Sequence, residues 1–311
     1  MLKLGMKKTI LIFGISSFVG ANLARILSKD FRIVGTYLDN PVKLPGITCV
    51  PCDVLKKTYV SKIMAIFKPD YTIYAVGLSS LTACKRNPKL ADALNSAGAA
   101  NCTAASERYG SKFIYLSSCF VLGGENTLYR ESDTPFPVTT YGNSLSSTEF
   151  YIQRSSLNYL ILRCAPLYGR SYNPLHPNWF EIVQTALAKK QILPADDSVY
   201  TGFLDIEILG KVLKSLLESG VNNRLLQVSS RDTLTRLGFA KLYAKVFKKD
   251  ENFIESTSGT FPLEASYKNT QKNTSPQNYF QMDVTNVENL LGIEMPKVED
   301  SLILTYQRLN A

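Results

Sequence analysis

Short runs of apolar, β-branched residues alternate with amphipathic stretches from Lys8 to Pro166. This alternation is typical of a parallel sheet covered by helices, because strands buried on both faces appear as near-continuous apolar runs. The apolar runs predict strands over residues 9–13, 32–37, 47–50, 71–75, 112–116 and 159–163. The amphipathic stretches predict helices over residues 19–29, 58–67, 89–109 and 141–156. The pattern therefore predicts an α/β protein with a doubly wound parallel sheet.

The pattern changes after Arg163. A loop rich in Pro, Asn, Tyr and Gly runs from Tyr168 to Asn178 and opens a second, smaller region. This region is predicted to hold helices over 179–190, 205–219 and 233–248, a polar bend over 194–200 and a strand over 224–229. The stretch from Ser256 to Ser275, rich in Thr, Ser, Lys and Asn, is interpreted as a surface loop or a partly disordered insert.

The chain has 311 residues, of which 45% are hydrophobic and 20% charged, so it is long enough to bury a substantial core. No segment approaches the roughly 18 uninterrupted apolar residues of a membrane helix. A soluble, cytoplasmic protein without a membrane partner is therefore expected. Lys3, Lys7 and Lys8 before an apolar stretch could imitate a secretory signal, but a strand, a Gly/Ser loop and a helix explain that stretch better.

The formal net charge of +9 does not by itself indicate a nucleic-acid partner, because Lys and Arg are spread along the chain without a basic run interleaved with aromatic residues. Two interpretations of the charge remain: a solvated basic surface, or the attraction of a polyanion such as a nucleotide diphosphate. The six cysteines are interpreted as reduced, mostly buried thiols. Cys49 and Cys52 form a C-x-x-C, but His176 is the only histidine, so no metal site is expected.

A loop from Gly14 to Gly20 follows the first predicted strand and opens the first predicted helix. In a dinucleotide-binding loop the first glycine permits a tight turn, the middle one lets the backbone approach the pyrophosphate, and the last allows close packing of helix on strand. Ser17 stands at the middle position, where its hydroxyl and the helix N-terminus could still meet a phosphate. Asp39, at the end of the second strand, favours NAD over NADP as a ribose-binding acid, unless residues 38–41 form only a turn.

Further motifs follow in order along the chain. They are residues 69–75, 87–88 and 93–98, Lys112–Gly123 with Ser117-Ser118-Cys119-Phe120-Val121, Tyr129-Arg130-Glu131, Pro135-Phe136-Pro137, Tyr141-Gly142-Asn143-Ser144, Leu162–Gly169, Phe203-Leu204-Asp205, and 282–293. Taken together and in this order, these motifs resemble those of the extended short-chain dehydrogenase/reductases. Within that group the chain resembles the dTDP-4-dehydrorhamnose reductase-like proteins. The resemblance implies a dinucleotide-binding Rossmann domain over residues 1–165. It also implies a smaller C-terminal α/β substrate lobe over 166–311, with about 203–230 returning to the Rossmann sheet.

The resemblance also implies roles for individual residues. Ser118 falls on the position of the catalytic Ser or Thr, and Tyr141 on that of the catalytic tyrosine. Asn95 falls at a helix irregularity near the active site. The implied cofactor-binding residues are Gly14, Ser16, Ser17, Phe18, Val19, Gly20, Asp39, Asp53, Val54, Ala75, Val76, Gly77, Leu116, Tyr141, Ala165 and Leu167. The implied substrate-binding residues are Ser79, Ser118, Cys119, Phe120 and Tyr168.

One position departs from the family's Tyr-x-x-x-Lys motif. Leu145 stands four residues after Tyr141, where the family carries a lysine that holds the nicotinamide ribose and lowers the pKa of the tyrosine. Two hypotheses follow. The first is an NAD(H)-dependent reductase of a keto-sugar nucleotide, with Tyr141 as proton donor and Ser118 polarising the carbonyl. The second is a non-catalytic nucleotide- or partner-binding protein, because Leu145 and Ser17 both depart from the motifs.

The resemblance also raises the question of a homodimer. The predicted helices over 89–109 and 141–156 occupy positions that pair across a two-fold axis in many relatives. Their apolar faces could equally pack entirely against the sheet of the same chain. A homodimer and a monomer are therefore both open.

Overall fold

The structure is a computed structural model that describes residues 7–155, 158–172, 176–261 and 278–310. Its strands are β1 (Thr9–Phe13), β2 (Arg32–Tyr37), β3 (Thr48–Pro51), β4 (Tyr71–Tyr74), β5 (Lys112–Ser118), β6 (Leu128–Tyr129), β7 (Tyr159–Cys164), β8 (Leu167–Tyr168), β9 (Leu193–Asp196), β10 (Val199–Thr201), β11 (Leu204–Asp205), β12 (Arg224–Val228), β13 (Ile254–Thr257) and β14 (Asn278–Met282).

Its α-helices are α1 (Phe18–Leu27), α2 (Lys57–Phe67), α3 (Leu81–Arg86), α4 (Pro88–Asp92), α5 (Gly98–Tyr109), α6 (Thr140–Arg154), α7 (Trp179–Ala188), α8 (Ile206–Glu218), α9 (Arg236–Val246), α10 (Thr285–Leu291) and α11 (Val298–Asn310). Within the described ranges, none of the helices combines the length and the apolar character that crossing a bilayer requires.

Seven strands form one parallel sheet in the order β12-β7-β5-β4-β1-β2-β3. From the neighbours β1 and β4 the chain winds outward in both directions, which leaves a crevice at the carboxyl ends of these two strands. Helices α1 and α8 pack together, and α2, α5 and α6 form another layer. Because helices cover both faces, the central strands are apolar, and Ile10 to Phe13 in β1 are inaccessible to solvent. The predicted doubly wound α/β fold is confirmed.

Two segments differ from the predicted elements. Residues 89–109 do not form one helix, because a π-helical turn over Ala93–Ala97 joins α4 to α5. The predicted polar bend over 194–200 instead contains β9 and β10. The buried carboxylate of Asp196 accepts hydrogen bonds from the backbone of Ser198 and Val199 and so closes the turn between these strands. Of the predicted insert, the first two residues end β13, and residues 262–275 lie outside the described residues.

The smaller region has its own apolar core, which α7, α9 and α11 build beside the parallel pair of β9 and β13. Aromatic rings fill this core. The Tyr168 ring stacks on the Phe180 ring at 5.7 Å, and Phe180 meets the edge of Tyr243 at 5.3 Å. Strand β12, which follows in sequence, lies beside β7 in the main sheet. The domain boundary at residue 165 stays a prediction.

A buried ion pair fastens α6 to the main sheet. Glu149 on α6 and Arg163 on β7 are each 1% exposed. The Arg163 guanidinium donates from Nη2 to Glu149 Oε2 at 2.8 Å and from Nε to both carboxylate oxygens. Ser117 on β5 donates its hydroxyl to the same carboxylate at 2.5 Å. One helix and two strands therefore meet at a single buried carboxylate.

Glu149→Gln should lower the free energy of unfolding by about 3 kcal/mol, because Arg163 would stay charged and buried without its counterion. Urea unfolding followed by circular dichroism measures this. Lys214→Met is the control, since Lys214 forms exposed ion pairs with Asp30 and Glu218 and its loss should barely move the unfolding midpoint. Equal, small shifts for both variants would show that the buried pair does not hold α6.

Candidate active site

The loop after β1 is shaped by two glycines. Gly14 has φ +85°, and a Cβ on it would lie 2.7 Å from the Ala75 carbonyl oxygen. A Cβ on Gly20 would lie 2.2 Å from the Gly14 carbonyl oxygen. Neither position has room for a side chain, because β1, β4 and α1 approach each other closely here. The loop therefore forms a narrow backbone cradle at the sheet crevice, which is the shape that a pyrophosphate requires.

Ser17 is the N-cap of α1. Its hydroxyl oxygen accepts a hydrogen bond from the Gly20 backbone N–H at 2.9 Å. The serine at the middle of the loop thus begins the helix, while its O–H proton is still available for donation. Ser16, Phe18 and Val19 are partly buried beside it. Contact between these residues and a phosphate stays a prediction.

Two acidic residues follow the strands next to this loop. Asp39 is exposed two residues after β2. Asp53 follows β3, where its Oδ1 accepts a hydrogen bond from the Leu55 backbone N–H at 2.9 Å. Asp53 therefore stabilises a turn, and its part in cofactor binding stays a prediction. Asp39 has the exposure that a ribose-binding carboxylate needs.

The other predicted cofactor residues also lie at the carboxyl edge of the sheet. Each of these residues follows a strand or lies near the carboxyl end of one. The residues are Val54, Ala75, Val76, Gly77, Leu116, Ala165 and Leu167. Ser79, predicted to contact substrate, is exposed in the segment after β4. The structure thus gathers at one edge residues that are far apart in sequence.

Ser118 and Tyr141 come together at this edge. Ser118 ends β5, and Tyr141 lies in the first turn of α6. The Ser118 side chain is close enough to the Tyr141 phenol to lower its pKa, and the Ser118 oxygen accepts a hydrogen bond from the Phe120 N–H at 3.4 Å. The Phe120 ring meets the Tyr141 ring at 6.4 Å with an interplanar angle of 60°. A phenol and a hydroxyl therefore converge where a carbonyl could be bound between them.

The surroundings of Tyr141 keep its phenol neutral. Burial raises the pKa of Tyr141 well above its ordinary value of 10, and the nearby thiols of Cys84, Cys119 and Cys164 raise it further. The Ser118 hydroxyl lowers the pKa of Tyr141 and opposes this shift only in part. Burial also raises the pKa of the Cys119 and Cys164 thiols to about 12, so they are neutral at physiological pH. Nothing in the sequence pattern indicated that three cysteines would meet at this tyrosine.

Leu145 faces the core one helical turn beyond Tyr141. It is 4% exposed and belongs to the main apolar cluster. Among the described residues, the groups that shift the pKa of Tyr141 are thiols and a serine hydroxyl, and none of them is a cation. The position that the family motif gives to a lysine is therefore filled here by an apolar contact.

Asn95 lies in the π-helical turn between α4 and α5. Its side chain accepts the Leu78 N–H at 2.8 Å and donates to Ser144 Oγ at 2.9 Å. The turn widens the backbone, and the Asn95 carbonyl then accepts the hydroxyls of Thr148 and Tyr115. Asn95 thus links the loop after β4 to α6, one turn from Tyr141.

Three of the predicted substrate-binding residues, Cys119, Phe120 and Tyr168, are buried. Tyr168 is 1% exposed, and its hydroxyl shares a 2.6 Å hydrogen bond with Ser301. Cys119 is inaccessible, and Phe120 is 7% exposed. Tyr168 therefore belongs to the core of the smaller region. Its contact with substrate stays a prediction that its burial disfavours.

Helix α6 approaches the segment after β5 at Gly142. A Cβ on Gly142 would lie 1.9 Å from the Phe120 carbonyl oxygen, so only glycine fits. Gly238 in α9 stands at the equivalent third position of a helix. Both glycine N–H groups donate to an N-cap threonine, Thr139 or Thr235, but a Cβ on Gly238 would meet its nearest atom at 3.5 Å.

Gly142→Ala should lower the free energy of unfolding by about 1–3 kcal/mol, because α6 must move away from Phe120. Gly238→Ala should be neutral or stabilising by up to about 1 kcal/mol, because the added Cβ would make only ordinary van der Waals contacts. Urea unfolding of both variants measures the difference. If Gly142→Ala proved as stable as Gly238→Ala, α6 would not be seated on the Phe120 segment as described.

Comparisons with known proteins agree with this geometry. The family model of the RmlD substrate binding domain matches residues 6–310. A probable low-salt glycan biosynthesis reductase of Haloferax volcanii is 25% identical over 300 residues, which are 94% of this chain and 95% of that protein. The methionine adenosyltransferase 2 subunit beta of Bos taurus is 28% identical over 117 residues, which are 38% of this chain and 35% of that protein.

Solved structures show the same fold. The dTDP-4-dehydrorhamnose reductase of Bacillus anthracis, in complex with NADP, has a TM-score of 0.79 at 19% identity and covers 97% of this chain and 100% of its own. The UDP-glucose 4-epimerase of Thermus thermophilus, in complex with NAD, has a TM-score of 0.80 at 16% identity. It covers 97% of this chain and 99% of its own. The family match over nearly the whole chain confirms the predicted relationship. The chain belongs to the RmlD substrate-binding-domain family.

Proposed function

We propose that this protein is an NADH-dependent reductase that converts the ketone of a keto-sugar nucleotide to an alcohol. The observation that carries the proposal is the placement of Tyr141 and Ser118 beside Phe120 at the carboxyl edge of the sheet, the edge that also carries the glycine cradle. The reductase name of the Haloferax volcanii relative supports the same reaction class.

The residues at the sheet crevice fit a nicotinamide dinucleotide. The cradle at Gly14 and Gly20 offers backbone to a pyrophosphate, with the N-terminus of α1 directly behind it. Asp39 would accept hydrogen bonds from ribose hydroxyls and repel a 2′-phosphate, which favours NAD over NADP. Solved relatives contain either dinucleotide, so the preference for NAD rests on Asp39. When bound, the nicotinamide supplies the hydride for the carbonyl carbon.

Ser118 and Tyr141 act on the carbonyl oxygen. The Ser118 hydroxyl donates a hydrogen bond to the oxygen as negative charge develops there, which is most effective in a site that excludes water. The Tyr141 phenol then gives its proton to the alkoxide, which yields the alcohol. The proton that Tyr141 loses must return from solvent or from a neighbouring hydroxyl before the next turnover.

The raised pKa of Tyr141 sets the protonation state in which the site binds its substrate. A phenol that stays neutral is a competent acid, whereas the reverse oxidation needs a phenolate to remove the proton of an alcohol. A nearby lysine would lower the pKa of Tyr141 by favouring the phenolate, and Leu145 provides no such charge. The site is therefore suited to reduction and poorly suited to oxidation.

A second candidate function is a nucleotide- or partner-binding protein without turnover. It is favoured by the burial of Leu145 in the core, because α6 then presents no cation to hold the ribose. The partial similarity to a protein named as a methionine adenosyltransferase subunit is consistent with it. Turnover decides between the two, since the second candidate binds a nucleotide without oxidising NADH in the presence of a keto-sugar nucleotide.

Tyr141→Phe should lower kcat for NADH-dependent reduction by about 10²–10⁴-fold, because the proton donor is lost. Ser118→Ala should lower it by about 10²-fold, as expected for the loss of one donor to a developing oxyanion. The measurement is NADH oxidation with dTDP- or UDP-linked 4-keto sugars. Tyr151→Phe is the control, because Tyr151 is on the same helix and exposed, and it should have no effect.

If the natural protein oxidises NADH with such a ketone and Tyr141→Phe is equally active, the proposed role of Tyr141 is wrong. If the natural protein binds NADH and the keto-sugar nucleotide but shows no turnover, the second candidate function replaces the first.

The kcat for reduction should stay constant as the pH rises to the ordinary tyrosine pKa of about 10. The pKa of Tyr141 is raised above this value, so the phenol remains protonated over the whole range. Leu145→Lys should make kcat decline at lower pH, because an ammonium nearby favours the phenolate, whereas Leu145→Met should behave like the natural protein. A Tyr141-dependent decline near neutral pH in the natural protein would contradict the account.

A further inference from the structure

Lys112 lines a cavity at the amino edge of the main sheet, the edge opposite the candidate active site. Lys112 begins β5, and Ser118 ends the same strand. Tyr71 begins β4 and is paired with Lys112 in the register of the two strands. The cavity has a volume of about 280 Å³ and opens to solvent beside the end of α8. Its lining includes Lys8, Asp70, Tyr71, Lys112, Leu217 and Glu218. A small molecule can therefore approach the lysine from solvent.

The Lys112 side chain is held by a neutral group. Only 6% of Lys112 is exposed, and its Nζ donates to the backbone carbonyl of Val221, shortly after α8. Among the residues that the structure describes, no carboxylate forms an ion pair with Lys112. The two acids of the cavity lining bind other groups: Asp70 accepts a backbone N–H at 2.8 Å, and Glu218 accepts the Lys214 ammonium at 2.6 Å. Burial is therefore not offset by a counterion, and it disfavours the charged form of Lys112.

Lys8 places a second positive charge at this cavity. Its Nζ donates to the Tyr71 hydroxyl at 2.9 Å and lies 5.2 Å from the centre of the Tyr71 ring. That hydrogen bond raises the pKa of Lys8, so Lys8 stays charged at physiological pH. Burial and the charge of Lys8 together lower the pKa of Lys112 to about 8. An appreciable fraction of Lys112 is then an uncharged amine near neutral pH, and the uncharged amine is the nucleophilic form of lysine.

We propose that Lys112, beside the charge of Lys8, is a nucleophile that accepts an acyl group from an acyl phosphate entering this cavity. Lys112 is thus a site of covalent modification. The modification is independent of the proposed function, because the whole length of β5 separates Lys112 from Ser118. The charge of Lys8 attracts the phosphate group of the donor into the cavity.

The reaction exchanges one acyl bond for another. The Lys112 Nζ attacks the acyl carbon, a C–N bond forms, and the bond from that carbon to the phosphate oxygen breaks. Inorganic phosphate leaves with the electron pair of that bond, and the proton that the amine loses passes to the phosphate. The amide product keeps one N–H for the Val221 carbonyl. It carries no charge, so the cost of burying an ammonium is removed.

The test is treatment of the full chain with acetyl phosphate at pH 7.5, followed by digestion and mass spectrometry that give the acetylation rate of each lysine. Lys112 should react about 10-fold or more faster than Lys62, which is exposed on α2. The reason is that about a quarter of an amine with a pKa near 8 is uncharged at this pH, against about 0.1% for an ordinary lysine. The rate at Lys112 should rise with pH and level off above about pH 9, where the amine is almost fully uncharged.

Two variants and the unfolded protein are the controls. Lys8→Gln should slow the acetylation of Lys112 by about 2-fold or more, because the repulsion that favours the uncharged amine is lost. Lys62→Gln should leave the rate at Lys112 unchanged. In protein unfolded by guanidinium chloride, Lys112 and Lys62 should react at similar rates, since both are then in water.

Three results would overturn the proposal: a rate at Lys112 no higher than that at Lys62, a preference for Lys112 that persists after unfolding, or a rate at Lys112 that Lys8→Gln does not change. If Lys8→Gln does not fold, the comparison of Lys112 with Lys62 in the natural protein decides.

Discussion

The seating of α6 against β5 and β7 is the constraint on which the candidate site depends. At the start of the helix, Gly142 lets the backbone approach the Phe120 carbonyl more closely than any side chain would permit. Two turns later, Glu149 is anchored by Arg163 and Ser117 in a solvent-free layer. Because both attachments lie on the same helix, the position of Tyr141 relative to Ser118 is fixed by the fold itself.

The same packing determines the chemistry. A helix pressed this closely onto the sheet leaves Tyr141 among thiols and apolar side chains, and burial there opposes any charge on the phenol. Leu145 extends this apolar lining instead of interrupting it with an ammonium. The geometry of a proton donor is therefore kept, while the electrostatic support for a base is missing. This combination is why we propose that the protein works as a reductase.

Much of this could be predicted from the sequence, because the information is local. Runs such as residues 10–13 and 113–116 are apolar throughout, which indicates strands of a covered sheet. The loop of Gly14 and Gly20 shows its backbone requirements in its residue types. Ser118 and Tyr141 were found by resemblance to a family, and the structure places both residues beside Phe120.

What could not be predicted depends on contacts between distant segments. The π-helical turn at Asn95 is stabilised by hydroxyls on β5 and α6, so residues 89–109 look like one uninterrupted helix in sequence. The strands around Asp196 were interpreted as a bend, because a polar residue gives no sign that its carboxylate will be buried and fully hydrogen-bonded. Lys8, Tyr71 and Lys112 come from three separate segments, and no spacing rule connects them.

The central claim is that this site transfers a hydride and a proton to a sugar ketone. The most direct measurement is a single turnover with NADH deuterated at the transferable position and a 4-keto sugar nucleotide, followed by mass spectrometry of the sugar product. The account predicts deuterium in the product of the natural protein and almost none with Tyr141→Phe. A natural protein that binds both compounds and transfers no deuterium would contradict it.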